Sequence, residues 1–255
     1  IRTAMAVAYR TFFYNPADRR QPYEAGVPTV TTTQTYSYKR GQLAGFTTVQ
    51  SYSVQNETVK IENTTSVTYE EHQAIATDNF GNVSTYFLND KGYAIQCTRQ
   101  EVSATATYDF FIFTSPEGKP YLKNITESKT EVYASIDIDY SNPQALRIVQ
   151  KVDTYTQTYT ATTPAGNSII NQSEVPCLFL PTYILFPYIP QRYMELLGEP
   201  FSILIEQIIP DGNTISQEVR KYTYSLDKRN IITSCKEVTN SYGTNYIRTV
   251  NYVIE

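Results

Sequence analysis

Apolar and polar residues alternate in several stretches of this chain, and this pattern restricts the fold more than any other feature of the sequence. In EVSATATYDF (residues 101–110) the even-numbered residues are apolar or aromatic and the odd-numbered ones are polar; VYASIDIDY (132–140) repeats the pattern apart from Tyr133. A period of two places the two classes on opposite faces of a strand. A sheet with one buried and one solvent-exposed face is typical of antiparallel sheets. The sequence therefore predicts an all-β protein.

Turn-forming residues separate these stretches along the chain. Examples are YKRGQ at 38–42, NDKG at 89–92, SPEGK at 115–119 and LDKRN at 226–230. Glycine supplies a positive φ, proline presets φ, and Asn or Asp tolerates the left-handed region, so each group has a physical reason to reverse the chain. The expected architecture is an antiparallel meander of long hairpins that forms a large twisted sheet or an open sandwich.

One hairpin pattern occurs three times, in residues 34–50, 84–102 and 221–238. In the last copy Tyr222 and Tyr224 share one face of the incoming strand, a polar turn follows, and the chain returns beside it. The spacing between copies is irregular, which argues against a solenoid or a propeller. We interpret the three segments as similar hairpins within one meander.

The length of 255 residues suits one large all-β domain, and we interpret the whole chain as a single β-rich domain. The alternative is a division near 170–180. It would separate an N-terminal meander (1–174) from a part (175–255) with an apolar segment, a short helix and the C-terminal hairpins.

Residues 175–209 break the alternating pattern. They open with four prolines in fifteen residues, which excludes a long helix there and predicts an extended apolar segment. The motif PQRYMELLG then predicts a short helix near 190–197, with proline at its first position and glycine as its stop. A strand is expected to follow over 201–209.

A concave binding site requires an element that leaves the sheet and folds back over it, and only residues 175–200 qualify. The candidate ligand-binding residues are the aromatic residues Tyr183, Phe186, Tyr188 and Tyr193. The alternative is that these side chains plug one end of the sheet as core, because large aromatic residues dominate cores as well as interfaces.

The charge balance argues against nucleic acid as a partner. The formal net charge is −4 and there is no basic block that could contact a phosphate backbone. The longest apolar stretch, residues 177–189, is too short to cross a membrane as a helix and is interrupted by proline. Because the chain begins at Ile1 without an initiator methionine, we expect that a signal peptide has been removed.

The three cysteines, Cys97, Cys177 and Cys235, are too few for a disulfide framework and lack the spacing of a zinc or redox motif. They are expected to be small buried hydrophobic residues. Cys97 and Cys235 occupy equivalent places in two of the hairpins, so the question of a disulfide between them stays open.

The sequence contains no recognisable catalytic or metal-binding motif. His72 is the only histidine and could act with Glu70, but a zinc site needs more ligands. Residues 137–142 (DIDYSN) begin like a calcium loop yet lack the glycine and the final glutamate that such a loop needs. Neither GxSxG nor GxxxxGK occurs. We therefore predict no catalytic residues, no metal and no cofactor.

The C-terminal part resembles a known family. A short helix ending in LLG, an apolar strand and the motif YTYSLDKRNIIT are similar to cell-envelope lipoproteins of unknown function from gut bacteria, whose hairpins read Tyr-x-Tyr-Asp-x-x-Gly-x-Leu. The YD repeats of Rhs-type shells are a weaker match. The resemblance covers residues 175–255. It implies a large antiparallel sheet, an extracytoplasmic location, a membrane contact only through an N-terminal lipid anchor, and no catalytic residues.

We expect a non-enzymatic protein of the cell envelope that acts as a binding or interaction module, with a glycan or an envelope protein as ligand. Tyrosine, with 23 copies, offers rings on which sugars stack. A structural surface protein is one alternative. A glycan hydrolase that uses two carboxylates is another, because such an enzyme needs only two suitably spaced acids.

Overall fold

The computed structural model describes residues 4–11, 30–54, 57–101, 104–129, 132–163, 195–199, 201–212, 219–241 and 244–254. The chain divides into two compact units, Ile1–Thr64 with Asn213–Glu255, and Thr65–Gly212. The alternative division near 170–180 lies outside the described residues.

The first unit is an antiparallel sheet in which the N-terminal and C-terminal strands pair with each other. Its strands are β1 (Ala4–Thr11), β2 (Val30–Lys39), β3 (Gln42–Val54), the first half of β4 (Glu57–Glu70), β14 (Val219–Leu226), β15 (Ile232–Ser241) and β16 (Thr244–Ile254). The pairing runs from β14 through β15, β16, β1 and β2 to β3.

The second unit is a meander in which each strand pairs with the next one along the chain. After the second half of β4 come β5 (Gln73–Asp78), β6 (Val83–Leu88), β7 (Ala94–Gln100), β8 (Thr105–Thr114), β9 (Pro120–Lys129), β10 (Val132–Asp139), β11 (Ala145–Val152), β12 (Tyr155–Thr162) and β13 (Gln207–Pro210). All nine pairs are antiparallel. The prediction of an all-β antiparallel meander is confirmed.

The predicted alternation decides which side chains are buried. In β8, Ala106, Tyr108 and Phe110 are buried while Thr105 and Asp109 are exposed. In β10 the residues Ala134, Ile136 and Ile138 are buried. Ser135 is buried as well, although the alternating pattern predicts that it is exposed to solvent. The core of the second unit therefore lies on one face of its sheet.

A five-residue turn occurs four times in the described residues and closes the hairpins at 84–102 and 221–238, whereas the hairpin at 34–50 reverses at Arg40 and Gly41. Its first residue is Asp78, Asn89, Ser115 or Asp227, and its fourth is Gly81, Gly92, Gly118 or Asn230, each with a positive φ. In the turn after β6 the Asn89 carbonyl accepts the Gly92 N–H at 2.9 Å, and the Asn89 side chain accepts the Tyr93 N–H at 3.0 Å. Asp, Asn and Ser suit the first position because their oxygens bond to the backbone two to four residues on.

Asn230 is the only non-glycine residue at the fourth position of these four turns, with φ 60°. We expect Asn230→Gly to raise the free energy of unfolding by up to about 1 kcal/mol, because glycine adopts this region without a side-chain penalty. Asn230→Ala should lower it by about 1 kcal/mol. Urea denaturation followed by circular dichroism measures both changes, and an alanine variant as stable as the glycine variant would contradict the role of φ.

A segment of the second unit runs across several strands of its sheet. This segment, which we call the end segment, comprises residues 195–199 and 201–206. Its backbone bonds to three strands: Leu196 to Ala94 in β7, Glu199 to Pro120 in β9 and Glu206 to Thr162 in β12. Its apolar side chains are buried, namely Leu196, Leu197, Phe201, Leu204 and Ile205.

Two local predictions change in this region. Of the helix expected near 190–197, only residues 195–197 are described, and they form a turn. The strand expected over 201–209 is limited to Gln207–Pro210, because the residues before it cross the strands and bury the consecutive Leu204 and Ile205. No helix occurs in the described parts of the chain.

The cysteines agree with the expectation of small buried residues. Cys97 and Cys235 are both buried, and no disulfide joins them. Burial raises the pKa of the Cys97 thiol to about 12, which keeps it protonated and unreactive at neutral pH. Cys177 lies outside the described residues.

Candidate functional site

The four aromatic residues predicted to bind a ligand, Tyr183, Phe186, Tyr188 and Tyr193, lie outside the described residues. The next described residues along the chain belong to the end segment, and one of them, Glu199, lines a groove of about 500 Å³. We call it the end groove. It combines the turn after β6 (Asn89, Lys91 and Tyr93), strand β8 (Ile112 and Thr114) and Glu199 of the end segment.

Backbone contacts fix the end segment at the groove. The Glu199 N–H donates to the Pro120 carbonyl at 2.7 Å, and the preceding residue, Gly198, has φ 82°. A Cβ at Gly198 would lie 2.6 Å from the Pro120 carbonyl oxygen, so only glycine fits there. The close approach of the two backbones places Glu199 beside the β8–β9 hairpin.

The opposite side of the groove is the turn after β6. The Asn89 side-chain oxygen accepts the N–H groups of Lys91 and Tyr93, both at 3.0 Å, and this closes the turn. A bulge before the turn shifts the pairing of β6 and β7 between Phe87 and Leu88. The turn thus presents the Tyr93 side chain to the groove.

The polar groups of the groove are available to a ligand. Within the described residues, the carboxylates of Asp90 and Glu199, the ammonium of Lys91 and the hydroxyl of Thr114 form no hydrogen bond or ion pair. The pKa of the Tyr93 hydroxyl is raised by partial burial and by the negative charges of Glu199 and Glu195. The groove therefore carries a net negative charge with one cation at its edge.

A second polar cluster lies on strands β6, β7 and β9. Arg99 bonds to Glu101 at 2.9 Å and to the Ser84 hydroxyl at 3.1 Å, and Lys129 reaches the other Glu101 oxygen at 3.3 Å. The hydrogen bond from Arg99 is the main cause of the lowered pKa of Glu101. Asp78 lies 3.9 Å from Arg99, so the two cations are balanced by two carboxylates and we interpret the cluster as structural.

Glu127 is a buried carboxyl group of the second unit. It is 2% exposed; one oxygen accepts a 3.4 Å bond from the Tyr108 hydroxyl, and the other has no hydrogen-bond partner. Burial raises the pKa of Glu127, since water no longer solvates its charged form. A group this inaccessible cannot reach a substrate in the observed conformation.

The other residues considered for catalysis or metal binding do not line the end groove. His72 is exposed, with φ 60°, in the turn between β4 and β5, and its nearest acid is Glu71 at 4.0 Å. Asp139 accepts the Ser141 N–H at 2.9 Å, and Asp137 accepts a bond from Asn124 at 3.1 Å. Among the described residues no three His, Cys, Asp or Glu side chains are grouped to hold a metal ion.

Sequence reasoning did not identify the residues of the end groove. Tyr93 and Glu199 lie over a hundred positions apart, and only the tertiary structure brings them together. The available signals were the Asn-x-x-Gly turn before Tyr93 and the glycine before Glu199. Each signal marks a backbone conformation, and neither indicates which segments meet.

A family model covers most of the chain. Residues 36–234 match the family described as a domain of unknown function (DUF4595) with porin-like fold. A comparison with curated proteins gave no match.

One solved structure is similar over its whole length. It is the crystal structure of a porin-like protein from Bacteroides uniformis, with 44% identity, a TM-score of 0.83, and coverage of 100% of this chain and 98% of that one. A porin-like protein from Bacteroides vulgatus shares 13% identity over 92% of this chain and 86% of that one, with a TM-score of 0.30. The bacterial source agrees with the resemblance to gut bacterial proteins. In the described residues no helix is long and apolar enough to cross a membrane.

Proposed function

This chain belongs to the DUF4595 family of domains with a porin-like fold, and we propose that it is a non-enzymatic binding protein of the cell envelope whose folded part is surrounded by water and not by lipid. The fold supports an envelope location, because a solved structure that matches this chain along its full length is that of a porin-like protein. The resemblance to envelope lipoproteins supports attachment through an N-terminal lipid.

The observation that carries the proposal is the polarity of the sheet in the second unit. Its buried face is mainly apolar, and its exposed face carries charged residues in three of its strands: Asp109 in β8, Asp137 and Asp139 in β10, and Arg147 and Lys151 in β11. Strands that face lipid show the opposite pattern, with apolar residues outward. An Arg or Lys at the middle of a bilayer costs roughly 2–4 kcal/mol, so this face suits water.

Apolar residues on the exposed face do not form a lipid-facing band. Ile95 and Phe111 are 50% and 57% exposed, yet beside them the Gln96 amide donates to Asp109 at 2.9 Å. Further along the same face, Asn124 bonds to Asp137. The hydrogen-bonded polar pairs interrupt the apolar surface and would lose their contact with water in a membrane.

The binding role draws support from the end groove, which offers unpaired polar groups on a rigid frame. A purely structural surface protein has no need of such a groove. A glycan hydrolase would need two carboxyl groups on either side of a scissile bond. Turnover assays on a panel of polysaccharides test that alternative directly.

Residues 1–255 without a lipid anchor should remain in the aqueous phase of Triton X-114 and run as a monodisperse species without detergent. The charged face of the sheet is the reason. The matched control is the lipid-modified protein, which should move to the detergent phase. Partition of the unmodified chain into detergent, or ion conductance across a planar bilayer, would contradict the proposal.

A further inference from the structure

We propose that the end groove is a carbohydrate-binding site and that its ligand is a neutral oligosaccharide of two or three units. The inference rests on the binding role proposed above and gives it a place and a ligand class. It concerns only residues of the second unit.

The size of the groove fits a short oligosaccharide. Its volume of about 500 Å³ lies within the ~300–1,000 Å³ range of small-molecule sites. The groove is partly open to solvent, so a longer chain could continue beyond it. Two turns and the end segment hold its walls, so little conformational entropy would be lost on binding.

The groove offers apolar surface of the kind on which sugar rings pack. Tyr93, Ile112 and Pro120 contribute half-buried side chains to its lining. The C–H groups of a pyranose ring are apolar, and a tyrosine ring gives them a large rigid contact with a polar tip. A peptide chain would instead seek unpaired backbone groups along a strand edge. Strands β6 to β9 are paired on both sides.

The polar groups around this surface match sugar hydroxyls, which donate and accept hydrogen bonds. The carboxylates of Asp90 and Glu199 accept, and the Lys91 ammonium donates. The Asn89 side-chain oxygen is occupied by two backbone N–H groups, which leaves its NH₂ group as a further donor with no partner in the described part of the chain.

The charges of the groove select against acidic sugars. Of the charged residues that line the groove, Asp90 and Glu199 are acidic and only Lys91 is basic, and partial burial together with the negative charges of Glu199 and Glu195 raises the pKa of Tyr93. A uronic acid would bring a further negative charge into this field and would be repelled. A neutral sugar meets no such cost.

The test is isothermal titration calorimetry with maltotriose, cellotriose, xylotriose, mannotriose and laminaritriose as neutral probes and trigalacturonate as the acidic probe. We expect at least one neutral trisaccharide to bind and trigalacturonate not to bind. Tyr93→Ala should weaken that binding about tenfold or more, which corresponds to roughly 1.4 kcal/mol. Tyr133→Ala is the matched control, because Tyr133 is 51% exposed in the same unit but does not line the groove.

Glu199→Gln separates the charge of the groove from its shape. The amide keeps a hydrogen-bonding group at the same place, so the neutral trisaccharide should still bind within about threefold. The repulsion of an acidic sugar should fall, and trigalacturonate should gain affinity. Melting temperatures measured beside the titrations verify that each variant is folded.

The proposal is overturned if none of the neutral trisaccharides binds, if trigalacturonate binds best, or if Tyr93→Ala and Tyr133→Ala change the affinity equally. Binding of peptides in place of sugars would also overturn it. Each of these results would leave the aqueous behaviour in Triton X-114 unchanged. A failure of the carbohydrate site is therefore distinguishable from a failure of the proposed function.

Discussion

Replacing Phe201 by alanine is expected to lower the free energy of unfolding by about 3–5 kcal/mol. Phe201 is 5% exposed, and the centroid of its ring lies 5.8 Å from those of Tyr121 and Tyr140. Tyr121 and Tyr140 stack on each other at 5.3 Å, and the Tyr140 hydroxyl donates to the Leu122 carbonyl at 2.7 Å. Truncation would leave a cavity in this cluster where the end segment meets β9.

Phe111→Ala is the matched control for this prediction. It removes the same atoms from the same unit, but Phe111 is 57% exposed, so the free energy of unfolding should change by no more than about 0.5 kcal/mol. Urea denaturation with near-ultraviolet circular dichroism follows both variants. Equal losses in the two would show that Phe201 does not anchor the end segment.

The hairpins could be predicted from the sequence because their signals are local. The motif LDKRN contains four of the five residues of the turn: Asp227 accepts the N–H groups of Arg229 and of the following Ile231, and Asn230 adopts the positive φ. The alternation in residues 101–110 likewise determines the buried face of β8 without reference to any other strand. A turn motif or an alternating pattern that lies within ten consecutive residues can be recognised without knowledge of tertiary contacts.

The end segment could not be predicted because its conformation depends on distant contacts. Six of the nine residues of the stretch FSILIEQII are apolar, and a short apolar run alone does not distinguish a strand from a packed irregular segment. The segment is fixed by single backbone bonds to β7, β9 and β12 and by the ring contacts of Phe201. None of these partners is close in sequence.

The polar residues of the buried face show a second limit of prediction from the sequence. Glu127 lies on the same face of β9 as Ile125, and the structure buries it with one unpartnered oxygen. Charge alone would predict an exposed position, because a buried carboxylate loses its hydration. The pairing register of β9 decides the burial of Glu127. A shift of β9 by one residue would expose Glu127 but would also move Ile125 out of the core.

Gly198→Ala is expected to lower the free energy of unfolding by about 2–4 kcal/mol, because two costs combine at this position. An L-residue at φ 82° is strained by roughly 1–2 kcal/mol. The added Cβ would also lie 2.6 Å from the Pro120 carbonyl oxygen and 3.1 Å from its carbon, and both are backbone atoms that cannot move without shifting β9.

Gly118→Ala isolates the first of these costs. Gly118 has φ 83°, yet a Cβ there meets no atom within 4 Å, so its replacement should lower the free energy of unfolding by only about 1–2 kcal/mol. The difference between the two variants in urea denaturation measures the clash with Pro120. If Gly198→Ala does fold, the displaced backbone must carry Glu199 away from Pro120, and the end groove should lose its affinity for neutral trisaccharides. Equal stabilities of the two variants would mean that the end segment can withdraw from β9 without cost, and the groove would then lack the fixed wall on which its binding role depends.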